Sequence, residues 1–165
     1  MRIYEGSPRQ DWEEVLRSIG AFADKEQLKE LLLLELDGGF LLQGLALPSS
    51  GAWTESSGSL AKRTYELTDD QVGVLIDEGN SRRRSAGTDV PHADVSNYYE
   101  QALRVIGKFV DKQPPRELFF FEQDGSFVFR MLVAGGIGGA VAGHQLLEFT
   151  REDILAMIDE APQHR

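Results

Sequence analysis

The sequence predicts an α+β fold from three observations. One stretch of the chain recurs farther along, the recurring unit reads helix–strand–strand–strand–helix, and its first two strands meet at an Asp-Gly turn. The predicted architecture is a tandem duplication of an αβββα unit, pseudo-twofold symmetric. Its strands form two antiparallel three-stranded sheets (or one six-stranded sheet) with flanking helices. Repeat 1 covers residues 1–80, a basic linker 81–92 and repeat 2 residues 93–165, packed together as one globular unit.

Residues 11–47 slide by 87 positions onto 98–134 without a gap, and 15 of those 37 positions are identical, against roughly two expected from average residue usage. Leu16/Leu103, Arg17/Arg104, Ile19/Ile106, Gly20/Gly107 and Phe22/Phe109 match in the first helix, followed by Asp24/Asp111 and Lys25/Lys112. Glu30/Glu117, Glu35/Glu122, Asp37/Asp124, Gly38/Gly125 and Phe40/Phe127 continue through the strands. The register then becomes 82, where Glu66/Glu148, Thr68/Thr150, Ile76/Ile158, Asp77/Asp159 and Glu78/Glu160 align. The second copy is five residues shorter in one loop.

Each copy is a second reading of the same element. Trp12, Val15, Leu16, Ile19 and Phe22 recur at helical spacing, as do Tyr99, Ala102, Leu103, Ile106 and Phe109. Ser7, with Pro8 and Gln10 after it, and Asp94 are the expected N-caps. The run Leu31–Leu34 consists of strong helix formers, but its partner Phe119–Phe121 follows two prolines and is aromatic, which favours a buried strand in both copies. Asp37-Gly38 and Asp124-Gly125 close the hairpins, with second strands at 39–47 and 126–134 and third strands near 60–67 and 144–149. Thr68 and Thr150 cap the closing helices; Val72, Leu75 and Ile76, echoed by Ile154, Met157 and Ile158, mark the apolar faces, and Gly79 and Pro162 stand where these helices should stop.

Net charge is −10. Residues 1–80 carry 7 basic and 15 acidic groups, 81–92 carry 3 and 1, and 93–165 carry 7 and 11. So acidic a surface repels phosphate backbones, and nucleic acid is not expected as a general partner. With no cysteine, disulfides, thiolate chemistry and Cys-based metal sites are excluded, which fits a reducing compartment. The start of the sequence lacks the apolar run of a signal peptide, and the Met131–Gly143 stretch is too short and Gly-rich to span a bilayer. The chain reads as soluble and cytoplasmic, without a membrane partner, and compatible with a homo-oligomer.

No catalytic or cofactor motif stands out, and no cofactor or metal is expected. The Gly135–Gly143 segment, with Gly136, Gly138 and Gly139, resembles a phosphate cradle only in composition. Val141 stands where the Gly-x-Gly-x-x-Gly fingerprint needs glycine, and a strand rather than a helix follows. The equivalent loop, Pro48 to Ala61, carries Trp53, which either folds onto the core or meets a ligand. These two loops diverge most between the copies, and the reading is that they flank one site. Arg82, Arg83 and Arg84 form the single basic cluster, a solvated linker or a contact for an acidic partner. His144 opens a strand and has no counterpart in copy one. Glu35 and Glu122 are expected to mark where each strand surfaces, and Asp37 and Asp124 to serve the turns.

Three functions are therefore weighed. The leading one is a non-enzymatic binding or protein-interaction module, with a groove or apolar patch near 48–61 and 135–144. The rivals are a small enzyme with a carboxylate or His144 site in a cleft between repeats, and a regulator touching nucleic acid through Arg82–Arg84.

Overall fold

The computed structural model describes residues 11–46, 60–86, 97–112, 115–133 and 143–160. In order they form α1 (Trp12–Lys25), β1 (Lys29–Leu36), β2 (Gly39–Ala46), β3 (Ala61–Thr68), α2 (Asp69–Ala86), α3 (Tyr98–Asp111), β4 (Pro115–Gln123), β5 (Ser126–Val133), β6 (Gly143–Phe149) and α4 (Arg151–Glu160). The fold is α+β, and of the two sheet arrangements considered the single one forms: six antiparallel strands in the order β3-β2-β1-β4-β5-β6.

The Leu-rich run is a strand, as the phenylalanine partner implied. Leu33 lies directly opposite Phe120 where β1 meets β4, flanked by Leu32↔Phe121 and Leu34↔Phe119. That ladder has only three residue pairs, and two side chains extend it. Glu35 Oε2 accepts the Leu118 N–H at 2.9 Å, and Glu122 Oε2 accepts the Leu31 N–H at 3.2 Å. These glutamates stand where each strand passes from buried to exposed residues, as expected, and from there they also bridge the central strands. A carboxylate opposite an unpaired N–H satisfies it more strongly than a neutral acceptor.

Two-residue loops join the hairpins, with Leu36↔Gly39 and Gln123↔Ser126 as the closing pairs. Asp124 and Gly125 both have positive φ (51° and 80°), the backbone of a type I′ turn, whose twist suits a hairpin. Both strands of the central pair also carry a register irregularity near their starts, and in β1 Glu30 adopts φ 50° there.

The helices cover one face of the sheet. Trp12 meets Phe40 edge-on, Phe22 meets Tyr65, Tyr99 meets Phe127 and Phe109 meets Phe149. Val15, Leu16, Ile19, Leu103 and Ile106 are fully buried beneath them, together with Val72 and Ile154 from the outer helices. Capping boxes close α2 and α4 as the sequence predicts. The Gln71 N–H bonds Thr68 Oγ1 at 3.3 Å while the Thr68 N–H bonds Gln71 Oε1 at 2.8 Å. Thr150 and Asp153 repeat the exchange at 3.1 and 2.9 Å, and these bonds from Thr150 hold the Asp153 carboxyl below its usual range. Thr68→Ala is expected to lower stability by about 1 kcal/mol, read from a urea midpoint shifted without a change in slope.

Three helix boundaries differ from expectation. The caps anticipated at Ser7 and Asp94 lie outside the described residues; α1 begins after Asp11, whose Oδ1 accepts the Glu14 N–H at 2.9 Å, and α3 begins after Asn97. At the other end, α2 does not stop at Gly79 but runs on to Ala86. Gly79 is buried there, where a Cβ would sit 3.2 Å from Arg83 Nη1 and 3.8 Å from Ser18 Oγ, so it admits a neighbour rather than ending the helix. Pro162 also lies outside the described residues.

Helices α1 and α3 meet at backbone distance. A Cβ on Gly20 would lie 2.6 Å from the Tyr99 carbonyl carbon, and one on Gly107 2.7 Å from that of Trp12. Each helix also closes the other's N-terminus. Asp111 Oδ1 and Oδ2 accept the N–H groups of Trp12 and Glu13 at 2.8 and 3.1 Å, while Asp24 accepts those of Tyr99 and Glu100 at 3.1 and 2.8 Å. These first-turn donors would otherwise be orphaned, and the positive end of each helix dipole favours the carboxylate.

Candidate functional site

Three places on this frame carry exposed or unusual chemistry: the arginine-rich end of α2, a groove beside β3, and the sheet face away from the helices. The residues singled out by sequence distribute unevenly among them. Trp53, Gly136, Gly138 and Gly139 lie outside the described residues. His144 is exposed at the start of β6, opposite Leu132 of β5. The two divergent loops do not leave from a common place. β1 and β4 are antiparallel, so the loop leaving β2 at Ala46 and the loop leaving β5 at Val133 start from opposite ends of the sheet. A single site flanked by both loops is therefore not what the strand order provides.

Arg82, Arg83 and Arg84 stand on the last turns of α2, not in a linker. The reason is local: Glu100 of α3 draws this end of the helix inward. Arg82 Nη2 donates to Glu100 Oε2 at 3.1 Å, Arg17 Nε to Oε1 at 3.1 Å, and Arg83 Nη1 lies 3.9 Å from the same oxygen. Arg83 also bonds Asn80 Oδ1 at 2.6 Å. Arg104, only 2% exposed, holds Gln101 at 3.0 Å and Glu13 at 3.5 Å. Burial lowers the pKa of Arg83 and of Arg104 and raises that of Glu14, so each guanidinium here needs its carboxylate. This cluster ties α1, α2 and α3 together, and its donors are directed at the protein itself. Arg84, exposed, reaches only Ser81 at 3.3 Å.

The groove lies where α2 turns back along the outer strand β3. It encloses about 580 Å³ and is lined by Phe22, Tyr65, Leu67, Val74 and Leu75, with Thr64, Glu66, Asp70 and Gln71 around them. Val74 is 56% exposed although it belongs to a helix whose Val72 and Ile76 are buried. Tyr65 is held upright by Phe22 at 5.0 Å and by its hydroxyl on Glu26 Oε2 at 3.1 Å. Sequence reasoning passed over these residues, yet a signal existed. In the register of 82, Val74 aligns with Ala156, Tyr65 with Leu147 and Thr64 with Leu146, so this wall differs between the copies while the capping threonines match.

The sheet face opposite the helices is apolar at its centre. One row across the strands reads Glu66, Leu41, Leu34, Phe119, Arg130, Leu146. The next reads Thr64, Gln43, Leu32, Phe121, Val128, Glu148. Leu32, Leu34, Leu41, Phe119, Phe121 and Val128 are partly exposed, and Leu146 is 72% exposed. The Arg130 guanidinium sits 5.7 Å above the Phe119 ring. An antiparallel sheet with a solvated face normally alternates apolar and polar residues, and the four-residue leucine run of β1 breaks that rule.

Among the described residues, no group of three or more histidine, aspartate or glutamate side chains converges to hold a metal ion, and no helix is long and apolar enough to cross a membrane. No family model, curated protein or solved structure matches the chain.

Proposed function

We propose that the protein is a non-enzymatic binding module, built by tandem duplication as an intramolecular pseudo-dimer, that takes an extended segment of a protein partner along β3. The groove beside β3 carries this reading. Its volume of about 580 Å³ falls within the range of ligand sites, and apolar Phe22, Tyr65, Leu67, Val74 and Leu75 line it together with the carboxylate-bearing Asp70. Among the described residues β3 is also an outer strand of the sheet, and an outer strand is where an extended segment can add by backbone hydrogen bonding. The favoured occupant is a segment with alternating apolar side chains and a basic flank.

The duplication is supported by reciprocity. Asp24 caps α3 as Asp111 caps α1, Glu35 and Glu122 exchange the same bond, and Gly20 and Gly107 make the same contact. Each of these pairs stands 87 residues apart. Glu35 and Glu122 are thereby engaged as structural acceptors, and backbone contact between α1 and α3 leaves little room for a substrate between these helices. Arg82 and Arg83 are likewise engaged with Glu100 and Asn80, which weakens the nucleic-acid reading.

Selection from a displayed peptide library tests the proposal. Enriched peptides are expected to share alternating apolar positions, and to move amide NMR signals of residues 64–75. Val74→Lys, on an exposed position, should abolish that binding with stability changed by less than about 0.5 kcal/mol. Library selection without enrichment, or shifts confined to other surfaces, would refute it.

A further inference from the structure

We infer that the protein is a homodimer in solution, two copies meeting through the faces of their sheets that lie away from the helices. The inference does not rest on the groove reading, since the groove opens beside β3 and α2 and the contact lies across the centre of the sheet.

Area and arrangement both favour a second copy. Six strands spaced by ~4.8 Å and about eight residues long at ~3.3 Å per residue give a face of about 750 Å², close to the ~800 Å² each partner contributes to a standard stable interface. The apolar residues occupy its middle: Leu34 and Phe119 pair across β1 and β4 in one row, Leu32 and Phe121 in the next. Glu66 and Glu148 close the rows on the outer strands, Arg130 covers the Phe119 ring, and the exposed Leu146 ends the first row on β6. An apolar centre inside a polar rim is the usual anatomy of a protein interface.

The position of that centre also answers which partner fits. A twofold operation in the plane of contact lays the copy's central strands over these central strands, whether the axis runs along the strands or across them. With the axis along the strands Leu34 lies over the copy's Phe119 and Leu32 over its Phe121, and with the axis across them Leu34 lies over Leu32 and Phe119 over Phe121, so the same four residues face each other as an isologous interface requires. Sheets packed in this way lie ~10 Å apart with side chains interdigitated, and leucine and phenylalanine fill that spacing. The helices then form the two outer layers.

Sedimentation velocity from micromolar to hundreds of micromolar tests this on the full chain. The expected species has twice the 18.4 kDa of one chain. Leu34→Lys and Phe121→Lys should each halve that mass while the far-ultraviolet spectrum stays folded, and Val74→Lys should leave it unchanged. A wild-type chain at single mass throughout the range overturns the inference, whether another protein or another part of the chain covers the face. Dimers that survive both lysine substitutions overturn it too, since they are joined elsewhere. If the variants do not fold, methyl NMR of the wild type on dilution decides. Signals of Leu32, Leu34 and Leu41 should shift while those of buried Leu33 and Leu42 hold, and the reverse pattern counts against the dimer.

Discussion

Replacing Gly20 by alanine is expected to lower stability by about 2–3 kcal/mol, although alanine in a helix interior normally gains about 1 kcal/mol over glycine. The added methyl would lie 2.6 Å from the Tyr99 carbonyl carbon and 2.9 Å from the Glu100 Cα. Both are backbone atoms of α3, so nothing nearby can turn aside, and the two helices must separate. Separation would in turn lengthen the bonds from Asp24 and Asp111 to the first turns of α3 and α1. Gly107→Ala should behave alike, since its methyl would meet Trp12 and Glu13 in the same way. Gly73 supplies the contrast. It lies in α2 with nothing within 4 Å of a built Cβ, so Gly73→Ala should raise stability by about 1 kcal/mol. Urea unfolding of the three variants reads the sign directly; equal effects at Gly20 and Gly73 would mean that the helix contact is looser than these distances.

Much of the secondary structure was legible because two stretches of the sequence align at a fixed offset, so that an element could be read in two places. The leucines of β1 alone favour a helix, and only the prolines and phenylalanines of β4 make them a strand. The Asp-Gly pairs and the capping threonines are local signals, decided by backbone conformation within four residues, and both appear where expected. What was not legible depends on residues distant in the chain. α1 begins after Asp11 and α3 after Asn97, where Asp111 and Asp24 supply acceptors from 99 and 75 residues away in the cases of Trp12 and Tyr99. Gly79 looked like a helix stop, because glycine after an apolar periodicity usually is one; its neighbours Ser18 and Arg83 make it a packing glycine.

The same limit governed the search for a site. The reading that both divergent loops border one place needed the strand order, which no local pattern encodes. With β1 and β4 antiparallel at the centre, equivalent loops depart from opposite ends. Residues identical at the 87-residue offset include contacts between α1 and α3, such as Arg17 on Glu100 and Arg104 on Glu13 at 3.1 and 3.5 Å. The groove instead formed from residues that differ, Tyr65 and Val74 among them.

Asp24 should make stability pH-dependent in mild acid. It accepts two N–H groups at the start of α3, yet burial outweighs them and raises its pKa from 3.8 to about 6, with the Glu100 carboxylate adding to the rise. A carboxyl with a raised folded-state pKa binds its proton more tightly folded than unfolded. Its contribution is therefore complete below the unfolded value of 3.8 and lost as pH rises through about 6. Falling from pH 7 to pH 4, the wild type should gain on the order of 2 kcal/mol from this site. Burial raises Asp111 and Glu14 in the same direction, and relief of self-repulsion in a chain of net charge −10 adds to the trend. The difference between variants isolates the site. Asp24→Asn keeps an acceptor for α3 without the buried charge, so its unfolding temperature should rise less than the wild type's between pH 7 and pH 4. Asp24→Ala removes both bonds and should lose about 2 kcal/mol at pH 4, where the wild-type carboxyl is protonated and still accepts. If the asparagine variant follows the wild-type pH curve in parallel, the carboxyl of Asp24 is not the group that titrates, and the cap between the two helices is better solvated than its burial implies.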